Sequence, residues 1–200
     1  PFALGLTSVD LSPVRTWQRL QSRRWKGIAS PALLEGEPCG WIGLREAIAA
    51  HSVMTRGLQC TPDRIFVTSS IPATVDLAVR AAGLVGKTVW MEDPGYDAGA
   101  RALRYGGAQP IAVSVDEWGI DVEKGRRLAP FAGAAFVTPA YQFPTGCLMS
   151  NARRNALLEW ARETGSWILE DDFGSHSARE PAPPPLAAEA DSRTIYINSF

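Results

Sequence analysis

The sequence has few of the residues that bind metals or build disulfide frameworks. It contains two histidines, His51 and His176, and three cysteines, Cys39, Cys60 and Cys147. No CxxC or CxxH pair occurs among them. We therefore expect neither a disulfide framework nor a zinc site.

Long apolar runs and an excess of one charge are absent as well. No stretch approaches the roughly 18 apolar residues that span a bilayer, and residues 1–12 lack the basic start and apolar core of a secretory signal. Lys+Arg number 20 and Asp+Glu 21, a net charge of -1, which argues against a nucleic-acid or membrane surface spread over the whole chain. The net charge does not exclude a local charged patch. These features predict a soluble, cytoplasmic protein without membrane contact.

The length and the two ends predict part of a larger protein. With 200 residues, 46% of them hydrophobic, the chain can form one domain with a core. It opens on Pro1 rather than methionine and stops within or just after an apolar run at 194–200. We interpret residues 1–200 as a single partial domain, with an irregular and helical segment at 1–42 and the core at 43–200.

Apolar β-type runs alternate with helical patterns along the chain. Continuously apolar runs are typical of strands that are covered on both faces, and this alternation predicts an α/β fold with a mostly parallel sheet. Ligands of such sheets bind at the carboxyl ends of the strands. The predicted strands are 64–68, 88–91, 109–115, 134–138, 166–170 and 194–198; the predicted helices are 14–25, 44–55, 72–82, 97–105 and 151–164, and proline-rich residues 179–193 are predicted to be a loop.

The run Gly86-Lys87-Thr88 is similar to the end of a nucleotide-binding P-loop. That motif needs a glycine five residues before Gly86, where Ala81 stands, and it opens a helix. Here the run leads into a predicted strand. We therefore do not assign a nucleotide triphosphatase.

A serine-rich turn at 68–72 joins a predicted strand to the start of a helix. Free backbone N–H groups and the helix dipole at such a turn bind anions, and the hydroxyls of Ser69 and Ser70 add donors. Ordinary N-capping by Ser70 explains the same residues. Both interpretations stay open at this stage.

Three further segments follow predicted strands. Tyr96 ends the run Glu-Asp-Pro-Gly-Tyr at 92–96, where its ring either covers a flat ligand or simply packs in a turn. Residues 138–146 are rich in turn-forming residues. Glu170, Asp171 and Asp172 end an apolar run, which either aims a carboxylate into a cleft or forms a solvated loop or cap.

In order and spacing these pieces resemble the aminotransferase-like domain of the MocR/GabR-type bacterial transcription regulators. The matching stretches span nearly the whole chain: 43–49, 56–57 with Cys60 and Pro62, 67–69, 92–96, 138–139, 142–146 (Gln-Phe-Pro-Thr-Gly), 149–150 with 153–154, 168–172 (Ile-Leu-Glu-Asp-Asp), and 195–196 leading to Phe200. The resemblance implies a fold-type I aminotransferase large domain, here partial, with a three-layer α/β/α architecture. It also implies the cofactor pyridoxal 5'-phosphate.

The resemblance implies a role for six residues. Asp171 would pair with the pyridine nitrogen and keep it protonated, so that the ring acts as an electron sink. Tyr96 would stack on the ring. The turn at Ser69, Ser70 and Ile71 would hold the phosphate, and Phe173 would occupy the position of a residue that contacts the phenolic oxygen.

The chain departs from the family pattern at several of these places. Relatives have a smaller, glycine-containing phosphate turn where this chain has Ser69-Ser70-Ile71-Pro72. They have Tyr-Asp where this chain has Phe173-Gly174, so the hydroxyl is lost, and Tyr141 replaces a usual histidine. The Schiff-base lysine of the family would lie about two residues past Phe200, and Lys26, Lys87 and Lys124 do not occupy its place.

The function implied by the resemblance is an effector and dimerisation domain of a regulator, not catalytic as residues 1–200. In the intact family a winged-helix domain that is absent here binds DNA, and the aminotransferase-like domain forms a homodimer and senses pyridoxal phosphate, an amine or an amino acid. The alternatives are a fragment of a genuine class I/II aminotransferase and a decayed domain that no longer binds the cofactor. No catalytic residue and no metal ligand is assigned.

Overall fold

The computed structural model describes residues 11–28, 36–175, 182–189 and 193–199. These segments contain six α-helices and six strands. The helices are α1 (Leu11–Lys26), α2 (Ile42–Arg56), α3 (Ile71–Ala81), α4 (Asp97–Tyr105), α5 (Val122–Leu128) and α6 (Asn151–Thr164); the strands are β1 (Thr88–Asp93), β2 (Gln109–Asp116), β3 (Gly119–Ile120), β4 (Ala134–Val137), β5 (Trp167–Asp171) and β6 (Thr194–Ile197).

The strands form one sheet in the order β3-β2-β1-β4-β5-β6. All neighbours are parallel except β2 and β3, which form an antiparallel hairpin. The predicted α/β class with a mostly parallel sheet is confirmed. Because β1, β4, β5 and β6 run in the same direction, their carboxyl ends lie at the same edge of the sheet.

Apolar layers cover both faces of the sheet. Val89 packs on one face, with α3 and α4, while its neighbour Trp90 packs on the other, with α5 and α6. Trp90 is fully buried and stacks on Trp160 of α6 at a ring separation of 3.9 Å. Since successive side chains of a strand point to opposite faces, the continuously apolar runs produce three layers.

Capping residues account for several of the predicted helix boundaries. Gly57 and Gly165 take left-handed conformations at the ends of α2 and α6, with φ of 68° and 67°. Ser150 begins α6 as its N-cap, accepting a hydrogen bond from the Arg153 amide. Helix α6 spans the predicted residues, and α1 to α4 differ from prediction by three residues or fewer at either end.

Two predictions about individual segments are wrong. Residues 64–68 form no strand, because Pro62–Arg64 make a 3-10 helix and the Val67 amide bonds to the Cys39 carbonyl, outside the sheet. The segment 179–193 is not loop throughout, since Leu186–Ala188 form a 3-10 helix; residues 179–181 and 190–192 lie outside the described residues.

The sequence analysis also missed α5 and the short β3. Asp121 caps α5 by accepting a hydrogen bond from the Lys124 amide at 2.9 Å, a signal that the sequence pattern does contain. Among the described helices, none combines the length and the apolar character needed to cross a membrane.

Candidate functional site

The candidate site lies at the carboxyl edge of the parallel strands. The turn ending in Tyr96 follows β1, Thr138 follows β4, Asp171 ends β5 and Asn198 follows β6. Segments that are far apart in sequence therefore meet at one edge. This is the position at which open α/β sheets bind their ligands.

Asp171 is a buried carboxylate at this edge. It is 4% exposed, and its Oδ1 is buried without a hydrogen-bond partner in the part of the chain that the structure describes. Burial raises the pKa of Asp171 to about 7, and the nearby carboxylates of Asp172 and Glu92 contribute to the rise. Because buried polar atoms are nearly always paired, this oxygen is suited to a donor that is not part of the protein.

A row of aromatic rings lies in the loops after β1, β4 and β5, at the same edge of the sheet as Asp171. Tyr96 contacts Phe143 edge to face at a centroid distance of 5.8 Å, and Phe143 contacts Phe173 in the same way at 6.0 Å. Tyr96 is half-buried and Phe173 is 40% exposed. The structure thus brings the predicted residues Tyr96 and Phe173 together through Phe143, to which the sequence analysis gave no separate role.

A buried glutamate ties together the two loops that carry Tyr96 and Phe143. Glu92 accepts hydrogen bonds from the Thr138 hydroxyl at 2.6 Å and from the Gln142 amide group at 3.1 Å. The same Gln142 nitrogen donates to the Pro94 carbonyl at 2.9 Å. Burial raises the pKa of Glu92 to about 7 against the opposing effect of these hydrogen bonds. The Gln-Phe-Pro-Thr-Gly motif therefore positions the loops that form the rim.

The three adjacent carboxylates at the end of β5 have different surroundings. Glu170 accepts hydrogen bonds from the amides of Leu186 and Ala187 at 2.9 and 3.0 Å, so it caps the 3-10 helix rather than facing the site. Burial raises the pKa of Glu170 to about 7. Asp172 accepts three hydrogen bonds on Oδ2, while its Oδ1 is buried without a partner among the described residues. Of the three carboxylates, Asp171 alone has no side-chain hydrogen bond in the part of the chain that the structure describes.

Asp172 is the centre of a buried network that sequence reasoning missed. Its Oδ2 accepts hydrogen bonds from Arg56 Nε at 2.8 Å, from the Ser175 hydroxyl at 2.9 Å and from the Tyr196 hydroxyl. Arg56 ends α2 and Tyr196 lies in β6, and burial, together with Asp172, raises the pKa of Tyr196. Arg56 and Tyr196 stood in the matching stretches, but no local pattern marked their pairing.

The serine turn is an N-cap in this structure. The Ser70 side chain accepts a hydrogen bond from the Ala73 amide at 3.3 Å, and the hydroxyls of Thr68 and Thr74 lie 2.5 Å apart. Ser69 and Ser70 are exposed, while Ile71 packs against the same apolar layer as Tyr96. The capping interpretation thus holds, and the exposed hydroxyl of Ser69 and the start of the helix remain accessible to an anion.

Two departures from the family pattern touch each other beside Phe173. A Cβ added at Gly174 would lie 2.7 Å from the Cβ of Tyr141, so the loop packs closely on Tyr141 because this position is glycine. Tyr141 is 42% exposed. Tyr141 therefore adds a hydroxyl group to the rim of the site, whereas the neighbouring Phe173 has no hydroxyl.

None of the three lysines lies in the described turns that follow β1, β4, β5 and β6. Lys26 ends α1 and Lys124 lies in α5. Lys87 directly precedes β1, at the opposite edge of the sheet. The described residues thus provide no lysine amino group at the candidate site.

Comparison with known sequences places the chain among aminotransferase-like proteins. Residues 21–200 match the family model of aminotransferase class I and II. The chain is 30% identical over 203 residues to the probable rhizopine catabolism regulatory protein MocR of Rhizobium meliloti, across 100% of this chain and 40% of that protein. It is 35% identical over 162 residues to the pyridoxine biosynthesis transcriptional regulator PdxR of Corynebacterium glutamicum, across 80% of this chain and 35% of that protein. The chain thus spans less than half the length of these relatives.

Solved structures have the same architecture. A multiple substrate aminotransferase from Thermococcus profundus superimposes with a TM-score of 0.84 at 27% identity, covering 99% of this chain and 51% of that one. LysN from Thermus thermophilus, an α-aminoadipate aminotransferase complexed with N-(5'-phosphopyridoxyl)-L-leucine, gives a TM-score of 0.82 at 26% identity, covering 100% and 51%. The expected fold-type I architecture is therefore confirmed.

Proposed function

This chain belongs to the aminotransferase class I and II family, and from that premise we propose that it is the pyridoxal-phosphate-binding effector domain of a MocR-type transcription regulator. The family depends on pyridoxal phosphate in general. Relatives that match the chain over its whole length include several transcription regulators. The net charge of -1 supports DNA contact through a separate domain.

The free carboxylate oxygen of Asp171 carries this proposal. A protonated pyridine nitrogen is a planar cationic donor that forms a short hydrogen bond to a carboxylate, and Asp171 Oδ1 is an acceptor without a partner among the described residues. When bound, the cofactor supplies an electron sink for amines and amino acids. Asp171 would hold the proton on the ring nitrogen, which maintains that capacity.

The other predicted residues fit a flat, phosphorylated ligand to different degrees. Tyr96, held by Phe143, would lie against the ring, and the start of α3 with Ser69, Ser70 and Ile71 would bind the phosphate. Phe173 would contact the ring through its apolar edge only, because it has no hydroxyl. The site therefore binds through one charge-assisted hydrogen bond, ring contacts and a helix start.

We further propose that the intact protein is a cytoplasmic homodimer, with residues 43–200 as the core of this domain and 1–42 as a peripheral segment. Trp17, Trp25 and Trp41 are 64%, 62% and 50% exposed, and exposed aromatic surface of this kind is typical of an interface. Light scattering on the full-length protein would give twice the chain mass for this proposal and the single chain mass against it.

A transaminase is the second candidate. Across 98% of its own length, this chain is 25% identical to an aromatic-amino-acid aminotransferase of Thermococcus litoralis. The full-length protein, loaded with pyridoxal phosphate and given amino acids with a 2-oxoacid, would form new amino acid steadily if it were an enzyme. A regulator would instead bind promoter DNA and form little or no product.

Titration of pyridoxal phosphate tests cofactor binding through Asp171. The substitution Asp171→Asn removes the charge that pairs with the ring nitrogen, so we expect about 10-fold to 100-fold weaker affinity in the full-length protein. Asp76→Asn is the matched control, because Asp76 lies on the exposed surface of α3 in a pair with Arg80. Equal affinity of the wild type and Asp171→Asn would refute the proposal, as would the absence of saturable binding to the wild type.

A further inference from the structure

A buried network lies directly behind Asp171 and joins α2, β5 and β6. We propose that Arg56 and Tyr196 are positioning residues: they hold Asp172, and through it the end of β5, so that Asp171 Oδ1 faces the cofactor's ring nitrogen. This inference rests on the proposed function and names residues for which the sequence analysis found no role.

The residue that follows Asp171 is held from three directions. Asp172 Oδ2 accepts hydrogen bonds from Arg56 on α2, from Tyr196 on β6 and from Ser175 in the next turn. The Asp172 amide donates to the Ile197 carbonyl at 2.9 Å, which continues the β5–β6 ladder past the end of β5. The backbone at this point therefore has little freedom to rotate.

Asp171 needs such support because its own side chain makes no hydrogen bond among the described residues. Its direction thus depends on the backbone at the end of β5 and on the packing around it. A functional group whose direction is set in this way loses accuracy when its supporting contacts are removed. Asp172 is the adjacent residue through which α2 and β6 hold that backbone.

The network also places a positive charge, that of Arg56, beside one of the two adjacent carboxylates. The Arg56–Asp172 ion pair is almost completely buried, with side-chain exposures of 6% and 0%. The positive charge of Arg56 offsets part of the negative charge of Asp172, the neighbour that contributes to the raised pKa of Asp171. Arg56 also donates to the Ala182 carbonyl at 3.3 Å, which fixes the guanidinium itself.

The test uses the full-length protein and pyridoxamine 5'-phosphate labelled with ¹⁵N in the ring. This compound has an amine in place of the aldehyde, so its binding requires no bond to a lysine. The dissociation constant reports affinity, and the ¹⁵N chemical shift at pH 8 reports whether the ring nitrogen is protonated. A merely structural role would change thermal stability without changing the protonation of the bound ring.

We expect Tyr196→Phe and Arg56→Met to weaken binding about tenfold or more, as for the loss of a hydrogen bond to a charged group, and to reduce the protonated fraction of the ring. Arg56→Lys retains the charge and should restore most of that fraction. The control is Arg153→Met, which breaks an ion pair with Asp116 on β2 at 2.6 Å, away from Asp171. It should lower stability and leave both readouts unchanged.

Asp171→Asn separates the failure of this inference from that of the proposed function. If Asp171→Asn weakens binding while Tyr196→Phe and Arg56→Met bind as the wild type does, the positioning role is refuted and cofactor binding stands. If Asp171→Asn also binds as the wild type does, both proposals are refuted. Should Arg56→Met fail to fold, the nearly isosteric Tyr196→Phe decides the question.

Discussion

At the scale of single residues, three buried carboxylates have raised pKa values, and their partners distinguish them. Glu92 and Glu170 each accept hydrogen bonds from neighbouring loops, as structural groups do. Asp171 accepts none in the described part of the chain. A buried carboxylate without a partner lowers stability, so its presence at a ligand-binding edge indicates a role in function rather than in folding.

We predict that Asp171→Asn stabilises the protein while it weakens cofactor binding. The folded-state pKa of Asp171, about 7, lies above the ordinary value of 3.8, so its contribution to stability is fully present below about pH 4 and is lost as the pH rises through 7. The neutral asparagine has no such loss. Above pH 7 we therefore expect the free energy of unfolding of the variant, without cofactor, to exceed that of the wild type by on the order of 3 kcal/mol.

Urea unfolding of the wild type and Asp171→Asn at pH 4, 6 and 8 measures this difference. The two proteins should differ least at pH 4, and the gap should widen up to pH 8. A constant difference across this range, or a less stable variant at pH 8, would contradict the assignment of a raised pKa to Asp171.

At the scale of elements, local signals predicted most helices and the parallel strands. Helix α6 begins at a serine cap and ends at a left-handed glycine, and both are visible in the sequence. Residues 64–68 show why a β-type pattern alone is insufficient: Phe66 is 57% exposed, and the segment has no neighbouring strand among the described residues. A strand is defined by its partner, which a local pattern does not contain.

Some residues of the candidate site could likewise be predicted from local sequence signals, and others could not. Tyr96, Asp171 and Phe173 follow strand ends and could be selected from the sequence. Arg56 pairs with Asp172 across 116 positions of the sequence. No local pattern in a single sequence indicates that two such distant residues are in contact. The aromatic row likewise depends on Phe143, which a loop after a different strand brings between Tyr96 and Phe173.

We predict that Gly125→Ala destabilises the protein although alanine is the better helix former. In α5 a Cβ at Gly125 would lie 2.7 Å from the buried Trp90 ring, which is stacked on Trp160. Overpacking of a core costs about 1–3 kcal/mol, which exceeds the helix-propensity gain of about 1 kcal/mol.

Chemical denaturation of Gly125→Ala and of Arg127→Ala, an exposed position of the same helix, checks this balance. Arg127→Ala should stay within about 0.5 kcal/mol of the wild type. A gain of stability in Gly125→Ala would contradict the prediction, because it would show that the stacked rings of Trp90 and Trp160 can shift to make room for the added methyl group at little cost.

At the scale of the whole molecule, two apolar layers hold a sheet whose carboxyl edge collects side chains from four parallel strands and the loops after them. The apolar runs that bury the sheet also determine where its ends lie, so fold and site arise from the same pattern. Family membership, together with an Asp171 Oδ1 that has no partner among the described residues, is the basis on which we propose a flat ligand with a protonated ring nitrogen.

A crystal structure of the full-length protein grown with pyridoxamine 5'-phosphate tests this account most directly. We predict the ring at the carboxyl edge of the sheet and beside Tyr96, with its nitrogen about 2.7–2.9 Å from Asp171 Oδ1. A ring bound elsewhere, or one whose nitrogen faces away from Asp171, would contradict the account.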